Sequence, residues 1–493
     1  MANETEGIPP HFIVFIPGIM GSKLRDRTTG DIVWVDFSSF PVLNPLEWDN
    51  WLSHLLDTLA YPNPALEPAG IMDKVIFVPP WVKQEAYGRL LDALEGMGYR
   101  ANPAKHPEQD LNVHAFAYDW RQDNRLSARQ LGAAINYWQA FHPGAKVWIL
   151  AHSMGGLVAR WYIEKEGGKE KVSRLMLLAS PWDGSPKAMD ILFDGLDTLF
   201  RRLFNLFNIG PRTRALIRTF PSAYQLLPSQ DPFLRGLNNV PINPFSDAAG
   251  WLQNEQQRYL LLDGRRFNEE LGTTTSVEET LCFFGRKTPT TTFGVLRFAA
   301  GGQWSNIEWS ATEAGDGTVP EHSAVHPQAK EQLPFVADHG NIYVAPAVLE
   351  FLKWELIDKF RTVRKRAFLI TERLTIVFNP DRDVYSPGEV IKLWATVHEN
   401  KESLPPVSRA SITVQLRWRE ALPGAQQVVP PQDLPETRLP EIKTTPGRYE
   451  GSLVAPTTDG YYQLRATVKP VGERVVILEE LIAVEAMPQM PTT

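Results

Sequence analysis

One corner of the chain constrains its fold more than any other feature. In "VWILAHSMGGLVARWYIE" (147–164), an apolar strand pattern runs directly into a helical pattern, with Ser153 between them and Gly155 and Gly156 after it. This arrangement is typical of a nucleophile elbow, in which a strained backbone lifts a serine oxygen clear of a parallel sheet. The glycine that usually stands two residues before the serine is here Ala151. The alternative interpretation is a serine in an ordinary strand-to-helix turn.

Short strand patterns and helical patterns alternate up to about residue 356. Alternation of this kind indicates a mostly parallel sheet covered by helices on both faces. The helical patterns lie at 85–99 and 127–141. The predicted strands lie at 12–17, 111–120, 146–152, 172–181 and 259–264.

Helical periodicity disappears after about residue 367. Alternating or β-branched segments follow one another, separated by turn signals such as Ser386-Pro387-Gly388, and the proline-rich stretch 421–446 is predicted to be a long loop. This pattern predicts an antiparallel, immunoglobulin-like β-sandwich of about seven strands. We therefore expect two domains, residues 1–360 with the parallel sheet and residues 368–493 with the sandwich.

Composition excludes several classes of function. The net charge of -7 over 493 residues argues against nucleic acid as a partner, and the single cysteine, Cys282, rules out an internal disulfide. The first residues, "MANETEGIPP", show neither the basic nor the apolar region of a signal peptide, and no apolar run is long enough to span a bilayer. We expect a cytoplasmic protein or one peripheral to a membrane, although a chain whose leader had been removed would look the same.

A serine nucleophile needs a histidine base and an acid that orients it, and in elbow folds the acid precedes the histidine along the chain. Asp316 in "EAGDGTVP" and His339 in "ADHGNIYV" have the required order and lie in loops. The helix that begins near Met154 directs its N-terminal dipole at the place where an oxyanion would form. The weaker candidates for the acid are Asp119, Asp183, Glu313 and Asp338.

Three other histidines compete for a role near this site. His152 adjoins Ser153, so its side chain is expected to point to the other side of the corner. His322 and His326 are four residues apart and could in principle bind a metal, but no nearby residue completes a site. No metal and no cofactor is therefore expected.

Nine motifs stand in order along residues 10–355. They are "FIPGIMGSKL" (15–24), "IVWVDF" (32–37), "GYRANPAKHPEQDLNVHAFAYDWR" (98–121), "ILAHSMGGL" (149–157), "LLASPWDGSPKA" (177–188), "FPSAYQLLP" (220–228), "LCFFGRKTPTTT" (281–292), "GDGTVP" (315–320) and "HGNIYV" (339–344). Together they resemble the motifs of the lecithin:cholesterol acyltransferase family of α/β-hydrolases. Any one of them is a weak signal, whereas nine in the same order are specific.

The resemblance implies an α/β-hydrolase fold with Ser153 as nucleophile, Asp316 as acid and His339 as base. It also implies an oxyanion hole formed by the backbone amides of Ile19 and Met154. This chain departs from the family pattern at Ala151 and has no cysteine pair to hold a lid, and the sandwich lies outside the resemblance.

The activity implied by the resemblance is that of a serine-dependent lipid acyl hydrolase or O-acyltransferase of the phospholipase type, acting on a lipid or ester through an acyl-enzyme. A neutral-glyceride lipase or a polyester esterase is an alternative enzyme. A catalytically silent hydrolase fold that serves as a binding module is an alternative of another class.

The stretch at about 186–250 is expected to be a lid or insertion. Its first part carries leucines at helical spacing, the aromatic residues Phe200, Phe204 and Phe207, and several arginines without an intervening acid, so it could contact an anionic lipid surface. The alternative is a packed helix with a solvated arginine face. The arginines are Arg201, Arg202, Arg212, Arg214 and Arg218.

Overall fold

A computed structural model of the chain forms two compact units, Met1–Leu349 and Glu350–Thr493. Each unit is described by itself below. The structure describes residues 11–34, 47–73, 76–78, 82–84, 87–195, 209–229, 232–236, 238–246, 251–252, 254–299, 302–326, 328–357, 367–370, 374–381, 384–399, 410–421, 431, 434–470 and 475–484.

The first unit is built on a six-stranded sheet in which every pair of neighbours is parallel. Its strands are nearly continuous apolar runs because both faces are covered; all six residues of the first strand, for example, are buried. The spatial order is β14-β11-β9-β8-β1-β7. The strands are β1 (His11–Ile16), β7 (Val113–Ala115), β8 (Lys146–His152), β9 (Val172–Leu178), β11 (Thr280–Gly285) and β14 (Glu331–Phe335).

Helices connect these strands and cover the sheet. The connection from β1 to β7 runs in the opposite direction from the later connections. Right-handed connections therefore place helix Gly88–Gly96 on one face of the sheet and helices Asn124–Gln139 and Gly155–Lys165, which pack together, on the other face. The α-helices among the described residues are α1 (Trp48–Leu59), α2 (Gly88–Gly96), α3 (Asn124–Gln139), α4 (Gly155–Lys165), α5 (Pro186–Asp194), α6 (Ile209–Ile217), α7 (Pro221–Gln225), α8 (Glu255–Leu271), α9 (Glu321–Ala324) and α10 (Pro346–Ile357).

The strand predicted at 259–264 is wrong, because these residues lie inside α8. A short apolar run cannot by itself distinguish a strand from a buried helix segment. The flanking residues decide: the Asn254 side chain caps the helix by accepting from the amides of Gln256 and Gln257. The residues that α8 buries recur at helical spacing and include Leu261, Gly264, Phe267, Asn268 and Leu271.

Smaller sheets surround the main one. A three-stranded sheet, in the order β10-β12-β13, inserts a long antiparallel hairpin between β11 and the loop that holds Asp316. Two further small sheets follow β1. Their strands are β2 (Ser22–Asp26), β3 (Ile32–Trp34), β4 (Leu66–Ile71), β5 (Ile76–Val78), β6 (Val82–Gln84), β10 (Leu234–Arg235), β12 (Thr290–Phe298) and β13 (Trp304–Thr312).

The second unit contains two β-sheets that share one hydrophobic core. Leu393 from one sheet and Leu464 from the other belong to the same buried cluster, so the sheets pack face to face. The strands described in this unit are β15 (Ala367–Ile370), β16 (Leu374–Pro380), β17 (Val384–Tyr385), β18 (Val390–Glu399), β19 (Ala410–Glu420), β20 (Thr437–Leu439), β21 (Arg448–Val454), β22 (Gly460–Pro470) and β23 (Val476–Val484). Their order is β15-β16-β18-β21 in one sheet and β17-β23-β22-β19-β20 in the other. Among these described strands, the pair β17–β23 alone is parallel.

The arginines of the expected lid are tied to the fold wherever the structure describes them. Arg212 forms an ion pair with Asp49 of α1 at 2.6 Å, Arg214 donates to the Phe193 carbonyl, and Arg218 donates to the Leu192 carbonyl. This part of the insertion therefore fits the packed-helix interpretation. Phe200, Arg201, Arg202, Phe204 and Phe207 lie outside the described residues, as does the basic run 359–366.

A buried pair of histidines lies at the edge strand β7 of the main sheet. His114 of β7 and His142 approach with Nε2 atoms 3.0 Å apart, His114 stacks on Trp138, and His142 stacks on Phe12. One ring must donate and the other must accept, so two cations cannot occupy this contact. Burial, followed by the neighbouring His142, lowers the pKa of His114 to about 3, and burial also lowers the pKa of His142.

We predict that this pair makes the protein less stable in acid. The unfolded chain takes up a proton near pH 6.5 that folded His114 takes up only near its pKa of about 3, so stability falls as the pH falls between these values. His114→Phe should flatten the slope of unfolding free energy against pH by up to about 1.4 kcal/mol per pH unit in urea titrations. His54→Gln, which removes an exposed histidine, is the control for the loss of a histidine as such. An unchanged slope in His114→Phe contradicts the prediction.

Candidate active site

The strand order of the main sheet reverses between β1 and β8, and ligands of open parallel sheets bind where such a reversal opens a crevice at the carboxyl ends of the strands. Ser153 lies there, immediately after β8 and before α4. Its φ is +51°, an unusual value for a residue with a side chain, and its amide donates to the Leu178 carbonyl at 2.9 Å. The strained corner predicted from the sequence is present at this position.

The glycines around the corner are required for close approach. A Cβ on Gly155 would lie 2.5 Å from the Pro17 carbonyl oxygen, and a Cβ on Gly156 would lie 2.3 Å from the Ser180 hydroxyl. On the facing loop, a Cβ on Gly18 would lie 2.9 Å from the Ser153 Cβ. The loop after β1 and the serine corner are therefore packed backbone against backbone.

The structure brings together the three side chains selected from the sequence. His339 Nε2 lies 2.8 Å from Ser153 Oγ, and His339 Nδ1 lies 2.8 Å from Asp316 Oδ2. Because an ionised carboxylate only accepts, Nδ1 carries the proton and Nε2 is free to accept from the serine hydroxyl. The other carboxylate oxygen of Asp316 accepts from the amides of Thr318 and Val319, at 2.9 and 2.7 Å.

Asp316 is also the best buried and best oriented of the candidate acids. It is 1% exposed, and its carbonyl accepts from the His339 amide at 2.8 Å, so the acid and the base hold each other through backbone as well as side chain. The weaker candidates bind elsewhere or face solvent. Asp119 pairs with Arg121, Asp183 accepts from Ser229, Asp338 accepts from Asn341, and Glu313 is exposed.

The amides of Ile19 and Met154 adjoin a close approach between the two loops, since each directly follows one of the facing residues Gly18 and Ser153. Within the described part of the chain, neither amide has a hydrogen-bond acceptor. Two unused donors, one in the residue after Gly18 and one in the residue after Ser153, are what an oxyanion site needs. The loop is strained here as well, with φ of +62° at Met20.

The two histidines considered for a metal differ in their surroundings. His322 is exposed. The His326 ring lies against Trp182 with centroids 3.6 Å apart and a tilt of 30°, accepts from the Gln328 amide and donates to the Thr273 carbonyl. Among the residues that the structure describes, no three His, Cys, Asp or Glu side chains are grouped closely enough to hold a metal ion.

Sequence reasoning missed two residues that build the site. Gly285 ends β11, and a Cβ there would lie 2.5 Å from the Asp316 Cβ and 2.3 Å from the Ala337 carbonyl oxygen. The glycine that closes "LCFFG" was a visible signal of such an approach. Tyr87, whose hydroxyl accepts from the Gly18 amide at 3.0 Å, stands far away in sequence and no local pattern marks it.

No helix of the described part of the chain combines the length and the apolar character that crossing a membrane requires.

Solved structures resemble the chain at low identity. The structure of the Tle4–Tli4 complex matches with a TM-score of 0.49 and 16% identity, over 71% of this chain and 99% of that one. The mature form of a Bacillus licheniformis lipase, BlEst2, matches with a TM-score of 0.34 and 13% identity, over 71% of this chain and 94% of that one.

Sequence relatives are more informative about the family. Phospholipase A(1) LCAT3 of Arabidopsis thaliana is 27% identical over 148 residues, which is 29% of this chain and only 31% of that protein. Phosphatidylcholine-sterol acyltransferase of Mus musculus is 24% identical over 398 residues, 72% of this chain and 87% of that protein. Residues 69–284 match the family described as lecithin:cholesterol acyltransferase, a range that includes Ser153 but not Ile19, Asp316 or His339. The resemblance seen in the motifs is therefore confirmed over residues 69–284, which match the lecithin:cholesterol acyltransferase family.

Proposed function

We propose that the protein is a serine-dependent lipid acyl hydrolase or O-acyltransferase that uses Ser153, His339 and Asp316 as a catalytic triad. The observation that carries this proposal is the continuous hydrogen-bonded series from Ser153 Oγ through the His339 ring to the buried Asp316 carboxylate. Its position at the strand-order reversal and its strained serine both support a reacting site.

The first half of the proposed reaction forms an acyl-enzyme. His339 Nε2 accepts the Ser153 proton while Oγ attacks the acyl carbonyl carbon of an ester. The tetrahedral intermediate collapses by breaking the bond to the leaving alkoxide, which takes the proton from His339 and departs as an alcohol. Asp316 stabilises the imidazolium that exists between these two proton transfers.

The second half transfers the acyl group. Water or an alcohol gives its proton to His339 and attacks the acyl carbonyl, and Ser153 leaves with that proton. Water yields a free acid, whereas an alcohol yields a new ester, so hydrolysis and acyl transfer differ only in the acceptor. In both halves the amides of Ile19 and Met154 are proposed to donate to the oxyanion.

The names of two relatives support a lipid ester as the substrate class. The Arabidopsis relative is named a phospholipase and the mouse relative a phosphatidylcholine-sterol acyltransferase. Peripheral contact with a lipid surface is a further part of this proposal, because the substrate of such an enzyme resides in a membrane or particle. Arg212 and Arg214 of α6 are not supported as the surface that contacts lipid, because their side chains bond to Asp49 and to the Phe193 carbonyl.

For the second unit we propose an immunoglobulin-like sandwich that begins near residue 368, outside the catalytic domain of residues 1–360. The shared core of its two sheets and its largely antiparallel pairing support this assignment. All the proposed triad and oxyanion residues precede it in the chain.

We predict that Ser153→Ala lowers kcat for ester hydrolysis by about 10⁶ while the fold remains intact, because removal of a triad nucleophile has this effect in comparable enzymes. A fluorophosphonate probe should label the parent and the control variant Ser222→Ala. Ser222 is a suitable control because its buried hydroxyl only donates to backbone carbonyls. Labelling of Ser153→Ala would assign the nucleophile to another serine, and absence of labelling in the parent would favour the silent binding module.

We predict that Asp316→Asn lowers kcat by about 10⁴, because the asparagine stabilises the wrong tautomer of His339. Asp338→Asn is a matched control in the residue before His339, where the carboxylate accepts from the Asn341 amide instead. Steady-state rates on a soluble ester measure both variants. A large loss in Asp338→Asn with a small loss in Asp316→Asn contradicts the assignment of the acid.

We expect phospholipid vesicles to yield free fatty acid and lysophospholipid, and an added long-chain alcohol to divert part of the acyl group into a new ester. Mass spectrometry of the lipid products measures both. Parallel assays with a triacylglycerol emulsion and a polyester film test the alternative enzymes. Turnover of either of these substrates without turnover of phospholipid contradicts the proposed substrate class.

A further inference from the structure

A chain of buried hydrogen bonds runs behind the candidate triad and includes none of its side chains. The Gly18 amide donates to the Tyr87 hydroxyl at 3.0 Å, the Tyr87 hydroxyl lies 2.8 Å from His152 Nδ1, and His152 Nε2 lies 3.0 Å from the His339 carbonyl oxygen. Tyr87 and His152 are 6% and 5% exposed, so water does not replace these contacts. The two ring nitrogens of His152 bond to Tyr87 and to the His339 carbonyl, so the ring reaches the loop of the base.

The proton positions in this chain follow from the chemistry of its ends. The His339 carbonyl oxygen can only accept, so His152 Nε2 carries the proton. Neutral His152 therefore has a bare Nδ1, which accepts the proton of the Tyr87 hydroxyl, and a lone pair of that hydroxyl accepts from the Gly18 amide. Every donor and acceptor in the chain is used once in this single arrangement.

Both ends of the chain lie in the proposed catalytic machinery. Gly18 immediately precedes Ile19, whose amide is a proposed oxyanion donor, and the His339 carbonyl belongs to the residue that carries the base. The peptide between Pro17 and Gly18 is held from both sides, because the Tyr118 hydroxyl donates to the Pro17 carbonyl at 3.0 Å. Tyr87 and His152 thus link two loops that belong to distant parts of the sequence.

We infer that His152 and Tyr87 are positioning residues that hold the oxyanion loop and the His339 loop in register with each other. This inference rests on the proposed function and adds to it the residues that align its two halves. Neither residue touches the reacting atoms.

The hydrogen bonds from Gly18 through Tyr87 and His152 to His339 require a neutral His152. A proton on Nδ1 would turn a donor toward the Tyr87 hydroxyl, whose own proton would then have no acceptor in the chain. Burial first, and then the nearby His339, lower the pKa of His152 well below its usual value, which agrees with the neutral ring required by the geometry. The two histidine rings are 5.1 Å apart, so a second positive charge here would also oppose the His339 imidazolium.

Tyr87→Phe tests this inference with little disturbance of packing, because the phenyl ring keeps its contacts with Phe15 and Tyr343. Loss of the hydroxyl frees the Gly18 amide and His152 Nδ1, and misplacement of catalytic groups by about 1 Å can lower kcat by about 100-fold. We expect kcat on a soluble ester to fall about tenfold to 100-fold with KM near the parent value, because oxyanion donors act mainly in the transition state.

Tyr99→Phe is the matched control. The Tyr99 hydroxyl lies 2.9 Å from His11 Nε2, and this pair has the same chemistry and burial as the Tyr87–His152 pair but sits at the opposite end of β1. Thermal unfolding should show similar loss of stability in the two variants, whereas kcat should fall only in Tyr87→Phe. An unchanged kcat in Tyr87→Phe, or an equal fall in both variants, overturns the inference.

Substitution of His152 separates its polar role from its volume. The amide of His152→Gln can still donate to the His339 carbonyl, whereas His152→Leu removes both hydrogen bonds, so kcat should decrease in the order parent, Gln, Leu. Equal rates for the two variants count against the inference. Fluorophosphonate labelling distinguishes failure of this inference from failure of the proposed function. Labelling that persists in Ser153→Ala refutes the triad itself.

Discussion

The close approach of two backbone segments at the carboxyl ends of β1 and β8 is the constraint on which the site depends. Gly18 and Gly155 permit it, because a Cβ on either would come within 2.9 Å of the facing segment. Ser153 accepts a φ of +51° as part of the same packing. Packing of the buried apolar strands offsets the strain of this conformation; all six residues of β1, for example, are buried.

The acid loop meets the same site by an independent route. Asp316 reaches it because Gly285 leaves room at the end of β11, and the backbone of residues 316–319 folds around its own carboxylate. The buried link through Tyr87 and His152 joins the loop after β1 to the His339 loop, and the His339 amide in turn donates to the Asp316 carbonyl. A histidine directly before the serine is therefore useful although its ring nitrogens bond to Tyr87 and His339 and not to Ser153 Oγ.

Sequence patterns were sufficient for features that are local. The corner at Ser153, the strands β1, β8 and β9, and the loops of Asp316 and His339 all follow from periodicity and order within a few residues. The sequence predicts a strand at 259–264, inside helix 255–271, because the apolar run is short and the capping residue Asn254 lies outside it. Tyr87 could not be predicted, since its importance arises from contacts 65 and 69 residues away.

Five histidines of this chain have two different electrostatic roles. Burial lowers the pKa of His114, His142, His152 and His326, so each stays neutral and serves as a fixed donor and acceptor. His339 instead presents Nδ1 to the buried carboxylate of Asp316, whose charge is opposite to that of the imidazolium in the proposed mechanism. A proton taken from Ser153 therefore has one favourable destination, and the neutral His152 next to it preserves that preference by adding no competing charge.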